Sequence, residues 1–548
     1  MTRITALALL IAAATLAPRP AAADYIDHLA TTEDVGWAKV PAFGDARILV
    51  IPVEVEGHGA LDMERMRRFF AAETTGEFAF TDYWTRASLG AYRPQATVVD
   101  PVRFESCPLP EDYFGYEDCA IPRGGGASVD QIIESLEGGL AMVEAILDQV
   151  DAQGVDFTGF DVNGPIEGTP DGWIDGVLIV HNIDFGGIAL PLYWLKEQFL
   201  GEPPLSYDGI QINIVGIAED EAVAVHEFGH LLGWADLYDE SGRSKGYQYS
   251  VMGSWDYEEP VHGVDAFSRV QIGWTAPMAV YDVGDEVKDV RLRPAMDSGD
   301  AVQIGVGEEY YLVEARGPVQ GDYVDAGLLA SGLSITHVNL RKAPPATEGQ
   351  WTLRLLNCLN CDTWAPLVMN EQADGLFELQ LPGSRRDDRG DIFQPGTRFV
   401  PSLVSNAPLG EDHKVLSSNR YDGAVTGIAI TNIRADGEDV LFDLTVYEPC
   451  ALLACSNGGV CEDGRCLSGF PSPAGGVAPW DDNGGATGDP DAGSGAADTG
   501  AGGGSDVGGE AMEDGGGSDG GCGVAPGRAG GLVGAWALLA ALVAVRRR

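Results

Sequence analysis

The chain has 548 residues, of which 45% are hydrophobic, and its formal net charge at pH 7 is −49. This length exceeds that of a typical single domain, and the apolar content is enough for at least one large core. The acidic balance argues against nucleic acid and anionic lipid surfaces as partners, because a phosphate backbone needs a basic surface opposite it. We therefore expect a multidomain protein, monomeric and without a nucleic-acid function.

Residues 1–23 have the pattern of a secretory signal peptide. Arg3 precedes an apolar run over residues 4–16, and an alanine triplet at 21–23 supplies the small residues that signal peptidase accepts. The run is too short to span a bilayer, and the prolines after it disfavour a buried helix. Nine cysteines fit the oxidising compartment that export implies.

Residues 24–276 have the alternation of strands and helices that is typical of an α/β domain. A β-branched run from Ala46 predicts a strand covered on both faces, and residues 177–181 predict a second one. Between them Ser128 and Gln131 form a capping box ahead of apolar residues at helical spacing. Strand, helix, strand and a further helix together predict an α/β catalytic domain.

The rest of the chain is expected to form four regions. Short alternating strands indicate a β-rich accessory region, close cysteines indicate a small EGF-like disulfide module, and a Gly- and Asp-rich stretch is too polar to order itself. The regions are the β-rich region, 277–447; the cysteine module, 450–466; the disordered linker, 467–521; and the tail, 522–548. Four module cysteines allow three pairings, and the sequence does not choose among them.

Four further cysteines lie before the module. Cys107 and Cys119 could close a short loop, and Cys358 and Cys361 form a CxxC. A redox or zinc role is one interpretation of the CxxC. With no second CxxC and no neighbouring βαβ pattern, a structural disulfide is the better one.

The tail combines Cys522, an apolar stretch over residues 529–545 and three final arginines. The stretch is slightly short for a membrane helix, and the arginines would keep its end in the cytoplasm. This order resembles the myxobacterial C-terminal sorting tail. The resemblance implies processing near Cys522 and transfer of the protein to the cell surface, and a permanent membrane anchor is the alternative.

The sequence from Ala222 to Leu232 contains the motif His226-Glu227-Phe-Gly-His230. Histidines four residues apart share one face of a helix, with the glutamate beside them. Two imidazoles leave positions on a zinc ion for a third protein ligand and for the attacking water. A bare HExxH also arises by chance, so the surrounding residues decide its meaning.

Three neighbouring features favour a metal site. Gly233 can take a positive φ and end the helix, so that the carboxylate of Asp236 turns back toward the histidines. Met252, in Ser-Val-Met-Gly-Ser-Trp, resembles the Met-turn beneath the zinc of metzincins. A distant ligand at Glu258 or Glu259 is the competing layout, which the helix-breaking glycine disfavours.

The chain resembles the immune inhibitor A family of bacterial zinc metalloproteases over most of residues 45–447. The matching blocks are residues 226–239, 251–255, 265–274, 82–90, 171–181 and 310–337. The resemblance implies a metzincin-like catalytic domain with His226, His230 and Asp236 as zinc ligands and Glu227 as the catalytic base. Tyr238 or Tyr257 could stabilise the oxyanion, although packing is the simpler role for each. Little sequence precedes the first core strand, so a large propeptide is not expected.

A second cation is considered at Asp161, Asn163, Asp171 and Asp175, where closely spaced oxygen ligands could bind calcium. The spacing is not that of an EF-hand. Two Asx-Gly turns between strands explain the same residues at least as well.

The sequence therefore predicts an exported, surface-directed zinc endopeptidase that acts on extracellular proteins or peptides. A surface adhesion protein on an inactive protease scaffold is the main alternative. A hydrolase of non-peptide bonds is a third reading, which the wider family pattern disfavours.

Overall fold

The computed structural model of the protein describes residues 40–71, 78–105, 129–164, 168–183, 187–234, 236–237, 249–253, 262–318, 323–342, 364–380, 389–404, 407–410, 413–474 and 478–480. Several sequence predictions lie outside these ranges. They concern the signal peptide, the linker from residue 481, the tail with Cys522, Ser128 of the capping box, Cys107, Cys119, Cys358, Cys361, Tyr238, Tyr257, Glu258 and Glu259.

The N-terminal part of the described chain alternates strands and helices. Its elements are β1 (Gly44–Val55), α1 (Met63–Phe70), α2 (Phe80–Ala87), β2 (Tyr92–Val98), β3 (Val102–Phe104), α3 (Val129–Ala152), a 3₁₀ turn (Phe157–Phe160), β4 (Val177–His181), β5 (Gly187–Leu190), a π-helical segment (Trp194–Leu200), β6 (Ser206–Tyr207), β7 (Ile210–Gln211), β8 (Val215–Ala218), α4 (Glu221–Leu231) and α5 (Ala266–Ile272). The predicted strands at residues 46 and 177 and the predicted helix before residue 150 are confirmed.

A six-stranded sheet organises this part, with β1 near its centre. The strand order is β2–β1–β4–β8–β5, and β3 also pairs with β1. The pairings of β1 with β2, β3 and β4 and of β4 with β8 are parallel. β5 runs antiparallel to β8 and ends the sheet.

The two faces of β1 belong to two separate apolar cores. Ile48 and Val50 face a core that includes Phe228 of α4. Leu49 and Ile51 face the opposite core, which includes Leu147 of α3. Because neighbouring strand residues point to opposite faces, an uninterrupted apolar run is required where both faces are covered. The prediction of a strand buried on both sides is confirmed.

The C-terminal part is dominated by short strands, as the sequence predicts. Its elements are β9 (Ala279–Tyr281), β10 (Glu286–Leu292), α6 (Ala295–Ser298), β11 (Ala301–Ile304), β12 (Glu309–Arg316), β13 (Gly332–Asn339), β14 (Val368–Asn370), β15 (Ile428–Asp436), β16 (Asp439–Val446), α7 (Pro449–Leu452), β17 (Leu453–Cys455), β18 (Cys461–Glu462), β19 (Arg465–Cys466), β20 (Pro471–Pro473) and the 3₁₀ turns Leu340–Lys342, Glu378–Gln380 and Ser456–Gly458. Together the two parts make the described chain mixed α/β.

A five-stranded sheet, ordered β14–β13–β12–β11–β9, joins the two parts. On one face, Tyr310 and Leu312 of β12 belong to the same core as Phe228 of α4. On the other face, Tyr311 and Val313 pack in the core formed with the three-stranded sheet β10–β16–β15. The apolar core therefore continues across residue 276 without a break.

The cysteine module pairs its four cysteines as Cys450–Cys461 and Cys455–Cys466. Backbone pairing of β17 with β20 carries the ordered chain past the last cysteine, through residues 471–473. Within the described ranges, no helix has both the length and the apolar composition needed to cross a membrane.

A buried histidine lies on β13, where it pairs with Tyr311 of β12. His337 is 1% exposed, its Nδ1 lies 2.8 Å from Glu371 Oε1 and its Nε2 lies 3.1 Å from Glu309 Oε1. Its ring stacks on Tyr421 with the centroids 4.0 Å apart. Burial opposes a charge on the imidazole, but the hydrogen bonds to the two carboxylates raise the pKa of His337 to about 9.

We expect His337→Gln to destabilise the protein in a pH-dependent way. The folded pKa lies above the unfolded value of 6.5, so the charged imidazole stabilises fully below pH 6.5 and this contribution is lost as pH rises through about 9. The loss of unfolding free energy should be about 3 kcal/mol near neutral pH and clearly smaller above the folded pKa. Denaturant titrations at several pH values measure it. Arg291→Gln, which removes exposed ion pairs to Asp436 and Asp439, is the control with a small effect; a loss independent of pH would contradict the assignment.

Candidate metal centre

Helix α4 places the two predicted histidines on one face. Its first turn is capped by Asp220, whose Oδ1 accepts a hydrogen bond of 2.8 Å from the Val223 amide. The rings of His226 and His230 lie with centroids 4.9 Å apart. On another face of the helix, Phe228 packs against the rings of Phe80 and Trp84, which fixes the rotation of the helix.

The chain after α4 turns back toward the histidines, as the sequence predicts. The helix ends at Leu231, and Gly233 has a φ of +95°. This turn brings Asp236 Oδ1 to 2.9 Å from His226 Nε2 and 3.3 Å from His230 Nε2. A side chain at position 233 would be strained at that φ, so glycine is required there.

Backbone carbonyls set the tautomers of both histidines. His226 Nδ1 lies 2.7 Å from the Val251 oxygen, and His230 Nδ1 lies 2.9 Å from the Trp234 oxygen. A carbonyl oxygen only accepts hydrogen bonds, so each Nδ1 carries the proton and donates it. Each Nε2 then faces Asp236, and a ring that is neutral at Nε2 directs its lone pair there, which is the arrangement that metal-binding histidines adopt.

The charges of the three groups also fit a cation. Burial disfavours charge on His230, yet the Asp236 carboxylate raises the pKa of His230 to about 10. Burial alone would raise the pKa of Asp236, but the two imidazoles hold it well below its ordinary value. The cluster therefore stabilises positive charge between its members. Two nitrogens and one carboxylate oxygen form a donor set that zinc accepts.

Glu227 lies beside this cluster and is 3% exposed. Its Oε2 has no hydrogen-bond partner among the described residues. Burial raises the pKa of Glu227 to about 7, against the lowering effect of the two histidines. A carboxyl group whose pKa lies near neutral pH can both take and release a proton, which is the property that a general base and acid requires.

Glycines keep the space beside the motif free. A Cβ at Gly187 of β5 would collide with Glu227 Oε1 and with Val223 of α4. A Cβ at Gly229, inside the motif, would collide with the sulfur of Met252. Met252, the predicted Met-turn residue, is fully buried and packs against α4 at this glycine.

The segment 249–253, which we call the Met-turn segment, is held by hydrogen bonds on several sides. The Leu237 amide donates to the Met252 oxygen over 2.7 Å. Ser250 Oγ donates to Asp265 Oδ2 over 2.6 Å and accepts from the Met252 amide over 3.1 Å. These bonds fix the position of the Val251 carbonyl that orients His226.

The four residues considered for calcium lie in one loop, and their oxygens accept hydrogen bonds from backbone amides. Asp161 accepts from the amides of residues 171 and 172, and Asn163 from those of 164 and 168. Asp171 accepts from the amide of residue 173, and Asp175 from those of 47, 162 and 163. Burial raises the pKa of Asp175 to about 7. The turn interpretation accounts for these contacts, and calcium stays a prediction.

Some features of this centre have no signal in the sequence. The carbonyls of Val251 and Trp234 act through backbone atoms, which no residue type identifies. Gly187 and Gly229 are ordinary glycines until their neighbours are known. The structure also brings together the carboxylates of Asp374, Glu378 and Asp391, far along the chain, although three carboxylates alone identify no ligand.

We expect Gly229→Ala to disturb the centre through Met252. The added methyl must displace the Met252 sulfur, and overpacking of this kind costs about 1–3 kcal/mol. The shifted Met-turn segment should also weaken the predicted zinc binding, measured by chelator competition beside denaturant unfolding. The control is Gly159→Ala, since a Cβ at that position meets nothing within 4 Å. Equal behaviour of the two variants would contradict the packing role of Met252.

No protein-family model matches the chain, and no curated protein matches it significantly. The donor cluster of His226, His230 and Asp236, the tautomers of its imidazoles and the buried carboxyl of Glu227 are therefore the observations from which a function can be inferred.

Proposed function

We propose that the protein is a zinc metalloendopeptidase with a metzincin-type catalytic centre. The observation that carries the proposal is the convergence of two Nε2 atoms on one Asp236 oxygen, next to the buried carboxyl of Glu227. The glycine-ended helix and the buried Met252 beneath it support the metzincin assignment.

His226, His230 and Asp236 would hold the zinc. Zinc, when bound, lowers the pKa of water and polarises a carbonyl group. The orientation of the ligands is supplied by the chain itself, through the Val251 and Trp234 carbonyls. Because these carbonyls accept hydrogen bonds from the Nδ1 atoms, both imidazole rings would already be oriented for the metal.

Glu227 would move the proton in the reaction. As general base it would accept a proton from the attacking water, and as general acid it would donate that proton to the leaving amine. Its burial keeps bulk water from the carboxyl group, and its raised pKa lets it serve in both roles near neutral pH.

The sheet edge beside Glu227 supports a polypeptide substrate. β5 is the last strand of the six-stranded sheet among the described residues, and its Gly187 lies against Glu227 with no side chain between. An extended peptide that adds to a strand edge gains backbone hydrogen bonds without regard to its sequence. A peptide on β5 would pass its backbone close to Glu227, as an endopeptidase requires.

The location proposed for this activity is outside the cell. The signal-peptide pattern of residues 1–23 and the tail from Cys522 support export and attachment at the surface. The two disulfides of the cysteine module fit an oxidising exterior. Extracellular proteins would then be the substrates.

We expect Glu227→Gln to retain zinc and to lose proteolysis. The amide keeps the size of the side chain but cannot accept the proton, so kcat on a casein substrate should fall by about 10²–10⁴-fold. The control is Glu221→Gln, the same change at the start of α4, which should keep kcat within about twofold of the wild type. Metal content and initial rates measure both effects. A Glu227→Gln protein with normal activity would contradict the proposal.

We expect removal of the metal to abolish proteolysis reversibly. A strong chelator should eliminate activity, and one equivalent of Zn²⁺ should restore it, because the proposed centre supplies no other electrophile. His226→Ala and Asp236→Ala should bind zinc far more weakly and should not be rescued. Full activity after verified loss of all metal would contradict the assignment.

A further inference from the structure

Four charged side chains are buried between the Met-turn segment and the five-stranded sheet. They are Arg269 of α5, Glu314 and Arg316 of β12, and Asp325 in the turn that follows β12, and none is more than 5% exposed. Two cations and two anions compensate one another, which makes their burial tolerable.

Stability alone is a weak explanation for this cluster. Removing charges from water is costly, and buried ion pairs can often be replaced by apolar residues with no loss of stability. The hydrogen bonds that the cluster makes to the backbone are therefore the more informative feature.

Arg316 donates hydrogen bonds to three different residues. Its Nε and Nη2 form a two-point contact with the Asp325 carboxylate, at 2.7 and 2.6 Å. Its Nη1 donates to Glu314 Oε1 over 3.1 Å and to the carbonyl of Tyr249 over 2.7 Å. Tyr249 is the first residue of the Met-turn segment, so Arg316 fixes one end of that segment.

Asp325 reaches the same segment by a second route. Its Oδ1 accepts a hydrogen bond of 2.8 Å from the Gly263 amide. The Gly263 carbonyl in turn accepts from the Val251 amide over 3.2 Å. The Val251 carbonyl then accepts from His226 Nδ1 over 2.7 Å. One chain of hydrogen bonds thus runs from this ion pair to Val251, which orients a ligand, and a separate bond from the same pair holds Tyr249, two residues before it.

We propose that Arg316 and Asp325 are positioning residues of the metal centre. They hold Tyr249 and Gly263, and through them the Val251 carbonyl, so that the His226 ring keeps its Nε2 directed at His230 and Asp236. The inference rests on the proposed metal function. The β-rich region would then help to shape the metal centre and would be more than an accessory region.

The planar guanidinium group of Arg316, which has donors on three nitrogens, is central to this role. A lysine at position 316 keeps the positive charge but cannot give two parallel bonds to Asp325 and a third to Tyr249, because its donors sit on one nitrogen. Arg316→Lys therefore retains the positive charge but removes the arrangement of hydrogen bonds.

The test measures metal affinity rather than turnover. In the full-length protein, Arg316→Lys should weaken Zn²⁺ binding by about 10- to 100-fold in chelator competition, as loss of a supporting residue around a metal typically does. The visible absorption of the Co²⁺-loaded protein should change as well, since it reports ligand geometry.

The matched control is His337→Gln, which removes a buried charge from the opposite face of the same sheet. It should destabilise the protein while leaving Zn²⁺ affinity and the Co²⁺ spectrum unchanged. If His337→Gln weakens metal binding as much as Arg316→Lys does, the effect is general destabilisation and the proposal is overturned.

A double variant covers the case in which Arg316→Lys does not fold. Arg316→Met/Asp325→Leu removes the pair together and leaves no unpaired charge on either position, so we expect the protein to fold while the hydrogen bonds to Tyr249 and Gly263 are lost. A folded double variant with wild-type Zn²⁺ affinity and Co²⁺ spectrum overturns the proposal. If the wild-type protein binds Zn²⁺ no better than His226→Ala does, the proposed function itself is overturned. Failure of the proposed function can thus be distinguished from failure of the positioning role.

Discussion

The hydrogen bond from His226 Nδ1 to the Val251 carbonyl is the contact on which the geometry of the centre depends. An imidazole on a helix can rotate about its side-chain bonds, and only a fixed partner on one nitrogen directs the other. Here that partner belongs to a backbone segment outside any helix or strand. Its position is set from outside the segment, by Leu237, Asp265 and Gly263.

The sheet that contains β12 accounts for how such a segment can be held. Because strand residues alternate between faces, one strand can serve two cores at once. Tyr310 and Leu312 pack toward α4, while Tyr311 and Val313 pack toward β15 and β16. The sheet is thereby clamped between two layers and offers a rigid base from which charged side chains can reach the Met-turn segment.

The parts of the fold that the sequence predicts well are those with a local signature. The apolar run of β1, the strand at residues 177–181, the helical spacing of α3 and the glycine at position 233 each follow from short-range rules. The convergence of His226, His230 and Asp236 belongs to this class, because a helix and one turn bring them together.

The parts of the fold that the sequence does not predict depend on contacts between residues that lie far apart in the chain. Glu314 and Arg316 come at the end of a strand whose charges would normally indicate an exposed face, yet both are buried. Their burial is possible only because Arg269 and Asp325 arrive from other elements to compensate them. The same holds for His337, whose two carboxylate partners come from positions 28 and 34 residues away.

The continuity of the core across residue 276 also bears on timing during synthesis. A chain made from its N-terminus presents the histidine motif before β12 exists, and Arg316 follows Tyr249 by 67 residues. At roughly 5–20 residues per second, that separation corresponds to about 3–13 seconds of elongation. Until then the core around α4 lacks Tyr310 and Leu312, and the Met-turn segment lacks its hydrogen bond from Arg316. A nascent chain would therefore contain His226, His230 and Asp236 before the contacts that order them are available.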